Sequence, residues 1–177
     1  MRMRIVTVLG LLIVFASLAN QASAQERQYI NGRSASQGDG APFSGAVLVG
    51  NTLYLSGMLG LSGGQRPANA EEEARNVLTS IQNTLEQAGM SMDDLVSVQI
   101  FASDVGDYDA FNAVYRTFFT QEFPARAFLG SGTLLFDARF EVLGIAVRRS
   151  GAAVPKGQDG GRRFHGKNGV QAVIKSG

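Results

Sequence analysis

Apolar and polar positions change period several times along this chain, and each change marks an element. Ala46-Val47-Leu48-Val49 and Leu53-Tyr54-Leu55-Ser56 are short apolar runs around Gly50-Asn51, the pattern of two strands joined by a hairpin turn. Gln28-Tyr29-Ile30 reads as a further short strand, Ser34 to Gly40 as a loop, and Gly57 to Pro67 as Gly-rich and irregular. The period then lengthens. Ala74, Val77, Leu78, Ile81, Leu85 and Ala88 recur at three- and four-residue spacing, giving one apolar stripe on a helix. Asn69 suits its N-cap, and Glu72 three residues on completes a capping-box-like pair. Glu71, Glu72 and Glu73 lie where the helix macrodipole favours negative charge, and Gly89 stops the helix. Period two returns where Val96, Val98, Ile100 and Ala102 alternate with Ser97, Gln99, Phe101 and Ser103. A second helix is expected from about Asp107 to Thr120, with Tyr108, Phe111, Tyr115, Phe118 and Phe119 as its buried core face. Strands over about 125–130 and 139–148 close the pattern.

Three strands, a helix, a strand, a helix and two strands make an α+β domain with a mixed sheet. Two amphipathic helices cover only one face of such a sheet. The last strand, Phe140 to Val147, is apolar on both sides apart from Glu141. Its second face therefore also needs cover, and with no further helix available the cover is a neighbouring subunit. A homo-oligomer is expected.

Composition divides the chain into three. Arg2 and Arg4 precede an apolar stretch from Ile5 to Leu18, and Ala22-Ser23-Ala24 supplies a small-x-small cleavage signature. The stretch is shorter than the roughly 20 residues of a bilayer span. Residues 1–24 are thus expected to be a signal peptide cut after Ala24, placing the protein in the periplasm or outside the cell with no stable membrane insertion. Residues 25–149 form the domain. Residues 150–177 form a basic, Gly-rich tail expected to be disordered.

Charge and missing residue types narrow the chemistry. Residues 148–177 hold seven bases and one acid, whereas residues 25–147 hold seven bases against fourteen acids. An acidic body makes nucleic acid an unexpected partner. The chain has no Cys, and its one His, His165, lies in the tail. Disulfides, a thiol nucleophile, a His general base and a multi-His metal site are excluded, and no cofactor is expected. Against this background Arg126, in Phe123-Pro124-Ala125-Arg126 and flanked by Ala, Phe and Leu, stands out. A guanidinium in apolar surroundings needs an anionic partner. That partner is either a carboxylate of the protein, with Glu141 and Asp137 as candidates, or the carboxylate of a ligand.

Several segments together carry a family resemblance. They are Ala41-Pro42-Phe43-Ser44-Gly45-Ala46-Val47, Leu53-Tyr54-Leu55-Ser56-Gly57 and Glu73-Ala74-Arg75-Asn76-Val77-Leu78. Asp107 to Tyr115, Phe123-Pro124-Ala125-Arg126 and Ile145-Ala146-Val147-Arg148 follow in the same order. Over about residues 28–149 the chain resembles the Rid (YjgF) family of reactive-intermediate deaminases. The resemblance implies a chorismate-mutase-like fold assembled as a homotrimer, with ligand clefts between subunits. It further implies a small carboxylate or imino acid ligand, a 2-imino acid or its enamine, hydrolysed to a 2-keto acid and ammonia. Arg126 matches the Arg that grips the substrate carboxylate, and a planar guanidinium binds a carboxylate bidentately. Ser56 and Gly57 match the cleft-lining Ser-Gly pair, and Asn112 matches a helix Asn beside the cleft. Three positions depart from the family: Phe43 replaces a Tyr, Phe128 replaces a Cys, and Leu143 replaces the Glu that positions water. Glu141 lies two residues earlier, on the same strand face and about 7 Å along the strand. A non-catalytic, carboxylate-binding trimer is the alternative that these departures favour. RNA cleavage, an activity attached to some relatives, is disfavoured by the acidic body and its lack of His.

Overall fold

The computed structural model describes residues 25–32 and 41–149. The expected signal peptide, the loop over 34–40 and the basic tail lie outside the described residues. Six strands form one sheet: β1 (Arg27–Ile30), β2 (Ala46–Val49), β3 (Thr52–Leu59), β4 (Leu95–Ala102), β5 (Ala125–Gly130) and β6 (Phe140–Val147), in spatial order β1-β2-β3-β6-β4-β5. Helix α1 (Ala70–Gln87) joins β3 to β4, and α2 (Tyr108–Tyr115) joins β4 to β5. Only β4 and β5 pair in parallel, because α2 carries the chain back to the starting end of the sheet. Every other pairing is antiparallel.

The apolar stripe of α1 builds the core as its spacing predicts. Ala74, Val77, Leu78, Ile81, Leu85 and Ala88 are all buried, against Leu53, Leu55, Val98, Ile100, Phe140 and Val142 of the sheet. Asn69 caps the helix, its side-chain oxygen accepting from the Glu72 N–H at 2.8 Å. Buried positions alternate along β6, with Phe140, Val142 and Ala146 turned to the core. The opposite face of the sheet carries Tyr29, Val47, Tyr54 and Ile145 in one cross-strand row. Tyr29 and Tyr54 are about half exposed, at 55% and 50%. Both faces of the sheet are thus apolar, and within one protomer the helices cover only the first.

Four expectations need correction. Strand β3 continues through Gly57 and Met58 to Leu59, so the irregular segment begins later than its glycine suggested. Val96 is exposed, because a register shift between Leu95 and Ser97 turns it outward and puts Leu95 into the core. Helix α2 ends at Tyr115 and tightens into a 3-10 turn over Arg116–Phe118. Its buried face is Phe111, Asn112, Val114 and Tyr115, with Tyr108 exposed at its start. Glu73 does more than complement the macrodipole. It is fully buried, and its carboxylate accepts from the Arg139 N–H at 2.5 Å, the Phe140 N–H at 3.1 Å and the Arg139 guanidinium at 3.1 Å. Gly60 permits the approach, since a Cβ there would lie 2.1 Å from the Glu73 backbone oxygen.

Candidate functional site

Arg126 sits on β5 opposite Val98 of β4, a buried core position, so its side chain leans toward the helix-covered side of the sheet. Being on the edge strand, it is only half-buried. Its guanidinium carbon stands 4.7 Å from the centre of the Tyr115 ring and 5.8 Å from that of Tyr108. Neither Glu141 nor Asp137 pairs with it: the ion pairs among the described residues use Arg66, Arg139 and Arg149, and Asp137 pairs with Arg66 at 3.0 Å. Among the described residues, Arg126 therefore has no carboxylate partner. Aromatic faces hold the cation without neutralising it, leaving its hydrogen-bonding edge free for an anion.

Around this guanidinium lies a cavity of about 190 Å³ lined by Asn112, Tyr115, Arg116, Phe123, Pro124 and Arg126. Asn112 is buried on α2 and lines the same space. The Tyr115 hydroxyl is buried without a hydrogen-bond partner. Burial pushes its pKa up to about 12, against the opposing pull of the Arg126 charge. The turn that brings in Phe123 and Pro124 is tethered by Asp93. Its carboxylate accepts from the Thr120 hydroxyl, from the Thr120 N–H at 2.9 Å and from the Gln121 N–H at 3.2 Å. Partial desolvation pushes the Asp93 pKa up, but these bonds and the Arg149 charge outweigh it and hold the carboxyl below its ordinary value.

A second, broader hollow of about 780 Å³ gathers Phe43, Ser56, Gly57, Leu135, Phe136 and Glu141. Its centre is the bulge in β3, where Ser56 and Gly57 interrupt the register between the Leu55–Gly144 and Met58–Val142 pairs. The Ser56 hydroxyl donates to the Ser44 carbonyl at 2.6 Å, and the Ser56 N–H to the Gly45 carbonyl at 3.0 Å. Gly57 lies directly under Glu141: a Cβ on it would stand 2.0 Å from a Glu141 carboxylate oxygen. Glu141 is half-buried and forms no ion pair among the described residues. Leu143, two residues on, pairs with Gln99 and does not reach this hollow. Phe136, which lines this hollow, and the adjacent Asp137 hold left-handed backbones, φ 57° and 58°, and Phe136 is 71% exposed. Such conformations cost non-glycine residues about 1 kcal/mol or more each and collect at functional sites.

Of the six residues singled out in the sequence, Arg126 and Asn112 share the first cavity, and Phe43, Ser56 and Gly57 share the second. Phe128 lines neither. It packs edge-on between Tyr108, Phe111 and Phe140, filling the core below Arg126. The two groups lie on opposite sides of the sheet, since Arg126 pairs with the core position Val98, whereas Glu141 pairs with Phe101 on the other face. Sequence reasoning missed the support of Arg126 by Tyr115, because a Tyr in an apolar stripe reads as core. It also missed the seating of Glu141 on Gly57, which depends on a bulge that no periodicity reports.

The model of the family described as endoribonuclease L-PSP matches residues 36–148. A goat (Capra hircus) protein named 2-iminobutanoate/2-iminopropanoate deaminase is 39% identical over 110 residues, 60% of this chain and 80% of the relative. A protein of the same name from Escherichia coli (strain K12) is 34% identical over 113 residues, 61% of this chain and 88% of the relative. Among solved structures, the Escherichia coli YjgF gene product superposes with a TM-score of 0.58 at 34% identity, covering 61% of this chain and 89% of that one. Escherichia coli TdcF with bound serine superposes with a TM-score of 0.62 at 27% identity, covering 69% of this chain and all of the other.

Proposed function

The chain belongs to the Rid (YjgF) family, that of endoribonuclease L-PSP, and on that premise we propose that it is an exported deaminase of 2-imino acids. The observation that carries this reading is the free guanidinium of Arg126, stacked on Tyr115 and paired with no carboxylate of the described protein. It receives the substrate carboxylate and fixes the orientation of the adjacent imine carbon. Water adds to that carbon while the imine nitrogen takes up a proton. The C–N bond of the carbinolamine then breaks, releasing ammonia and leaving the 2-keto acid. The imine carbon is intrinsically electrophilic, so positioning accounts for much of the rate. Relatives named as imine deaminases and a relative solved with serine support a small amino-acid-like ligand.

Water is oriented by Glu141 in this reading, since Leu143 carries no polar group and Glu141 lies over Gly57 in the second hollow. Arg126 and Glu141 lie on opposite sides of one protomer's sheet, so the complete cleft forms between copies, Arg126 and Asn112 of one facing Ser56, Gly57 and Glu141 of the next. A homotrimer of the family type satisfies this and buries the row of Tyr29, Val47, Tyr54 and Ile145. Residues 1–24 direct the chain to the periplasm or beyond, where imines released by oxidases of that compartment are the source of substrate.

The test feeds the purified protein 2-imino acids generated in situ by an amino-acid oxidase and follows imine loss. Faster loss that disappears in Arg126→Ala is expected; wild-type protein that leaves the rate unchanged refutes the enzyme. The loss of the family Glu at position 143 favours a second reading, a carboxylate-binding protein without turnover. Its signature is no acceleration of imine loss, with carboxylates still raising the melting temperature through Arg126. Cleavage of added RNA surviving removal of residues 150–177 would instead point to a nuclease.

A further inference from the structure

The Arg126 cavity holds a second cation, Arg116. Its six lining residues include two arginines and no acid. Residues 25–147 contain only seven bases against fourteen acids, yet two of the seven converge on this one small space. Arg116 forms no ion pair among the described residues, and neither does Arg126. Its backbone is held: Arg116 opens the 3-10 turn immediately after Tyr115, the ring on which Arg126 stacks. Two like charges on one cavity repel each other unless an anion lies between them, and a single carboxylate satisfies only one fork.

We propose that this cavity selects dianions, specifically 2-imino acids that carry a second carboxylate on a short side chain, with Arg126 on the carboxylate beside the imine and Arg116 on the distal one. The hollow is small, about 190 Å³, which suits a diacid with a short side chain. The product is then a 2-keto diacid with ammonia, by the same addition of water and loss of the C–N bond. Arg116 is exposed, and in this assignment it holds the distal carboxylate as a specificity residue, away from the reacting imine carbon. The inference rests on the ligand-binding reading of Arg126 but not on turnover.

Calorimetry on the full chain with succinate and butanoate as stable dianionic and monoanionic probes reads it directly. Succinate is expected to bind about 3- to 10-fold more tightly than butanoate, the effect of one added, partly solvated charge pair. Arg116→Gln is expected to erase that advantage and leave butanoate within about twofold, whereas Arg126→Ala weakens both. In turnover, imines made from acidic amino acids should lose kcat/KM in Arg116→Gln while those from neutral amino acids keep it. Equal affinity for the two probes in wild type, or equal weakening of both by Arg116→Gln, overturns the dianion preference and leaves Arg126 as a monocarboxylate site. Failure of both probes to bind in wild type removes the Arg126 reading as well, and the dianion preference with it.

Discussion

Removing the Glu73 carboxylate tests a buried polar anchor between α1 and the start of β6. One of its oxygens accepts two backbone N–H groups, those of Arg139 and Phe140, and the other accepts the Arg139 guanidinium. Glu73→Ala strips all three donors of their acceptor in a fully buried place. Buried N–H groups left unsatisfied cost about 1–3 kcal/mol each, and breaking a buried ion pair costs about 3–5 kcal/mol in all. Arg139 keeps the Pro67 carbonyl at 2.9 Å, the Ala68 carbonyl at 3.3 Å and the Asp107 carboxylate at 3.9 Å, so its charge is not orphaned and the middle of that range applies, not its top. A loss of about 4 kcal/mol follows for Glu73→Ala. Glu73→Gln retains the oxygen serving both backbone groups and forfeits only the charged contact, about 2 kcal/mol. Urea unfolding at fixed protomer concentration reads both as shifts in midpoint at constant slope. A domain of this size has about 5–15 kcal/mol in total, so the alanine variant should still fold but melt ~15 °C lower. Equal losses for Ala and Gln, or less than about 1 kcal/mol for Ala, would refute the three-bond account.

The remaining predictions concern the two hollows. Tyr115→Leu should weaken carboxylate binding at Arg126 about tenfold in calorimetry, because a partly desolvated cation–π contact is worth about 1–2 kcal/mol, whereas Tyr115→Phe should bind within about threefold. The Tyr115 phenol has its folded pKa raised to about 12, so its neutral form favours the fold fully below pH 10 and less as pH rises toward 12. Tyr115→Phe should remove that part of the alkaline destabilisation; identical profiles for variant and wild type over pH 10–12 would contradict the burial of the hydroxyl. Gly57→Ala would place its Cβ 2.0 Å from a Glu141 oxygen, but that oxygen ends a side chain that can swing away, and the Gly57 φ lies outside the left-handed region. Stability should therefore change by less than about 1 kcal/mol while turnover falls at least tenfold; turnover at the wild-type level would detach Glu141 from the chemistry. Glu141→Gln should lower kcat at least tenfold without a matching change in ligand affinity, whereas the volume-conserving Leu143→Met should leave kcat within threefold, and the reverse pattern would move the water site to position 143.

The chain's local patterns determined its elements. The stripe from Ala74 to Ala88, the Asn69 cap and the alternation around Ile100 each depend on residues within a few positions of one another. They are legible because side-chain periodicity follows directly from backbone geometry. Arg126 was also legible, as a cation in apolar company with few cations elsewhere in the body. Distance in sequence is where legibility ended. Glu73 reads as a first-turn acid until β6, 66 residues away, brings the Arg139 and Phe140 N–H groups to it. Val96 continues an alternating run until a register shift turns it to solvent. Tyr115 reads as core and is core, but its second role appears only when the parallel pairing of β4 and β5 sets Arg126 over its ring. Ser56-Gly57 and Glu141 become one hollow only through the bulge opposite β6, and their separation from Arg126 follows from which face each register leaves them on. Local propensity is written in neighbouring residues, whereas register, bulges and the partners of buried charges are chosen by the packing of the whole sheet, where a shift of one residue moves every side chain to the other face.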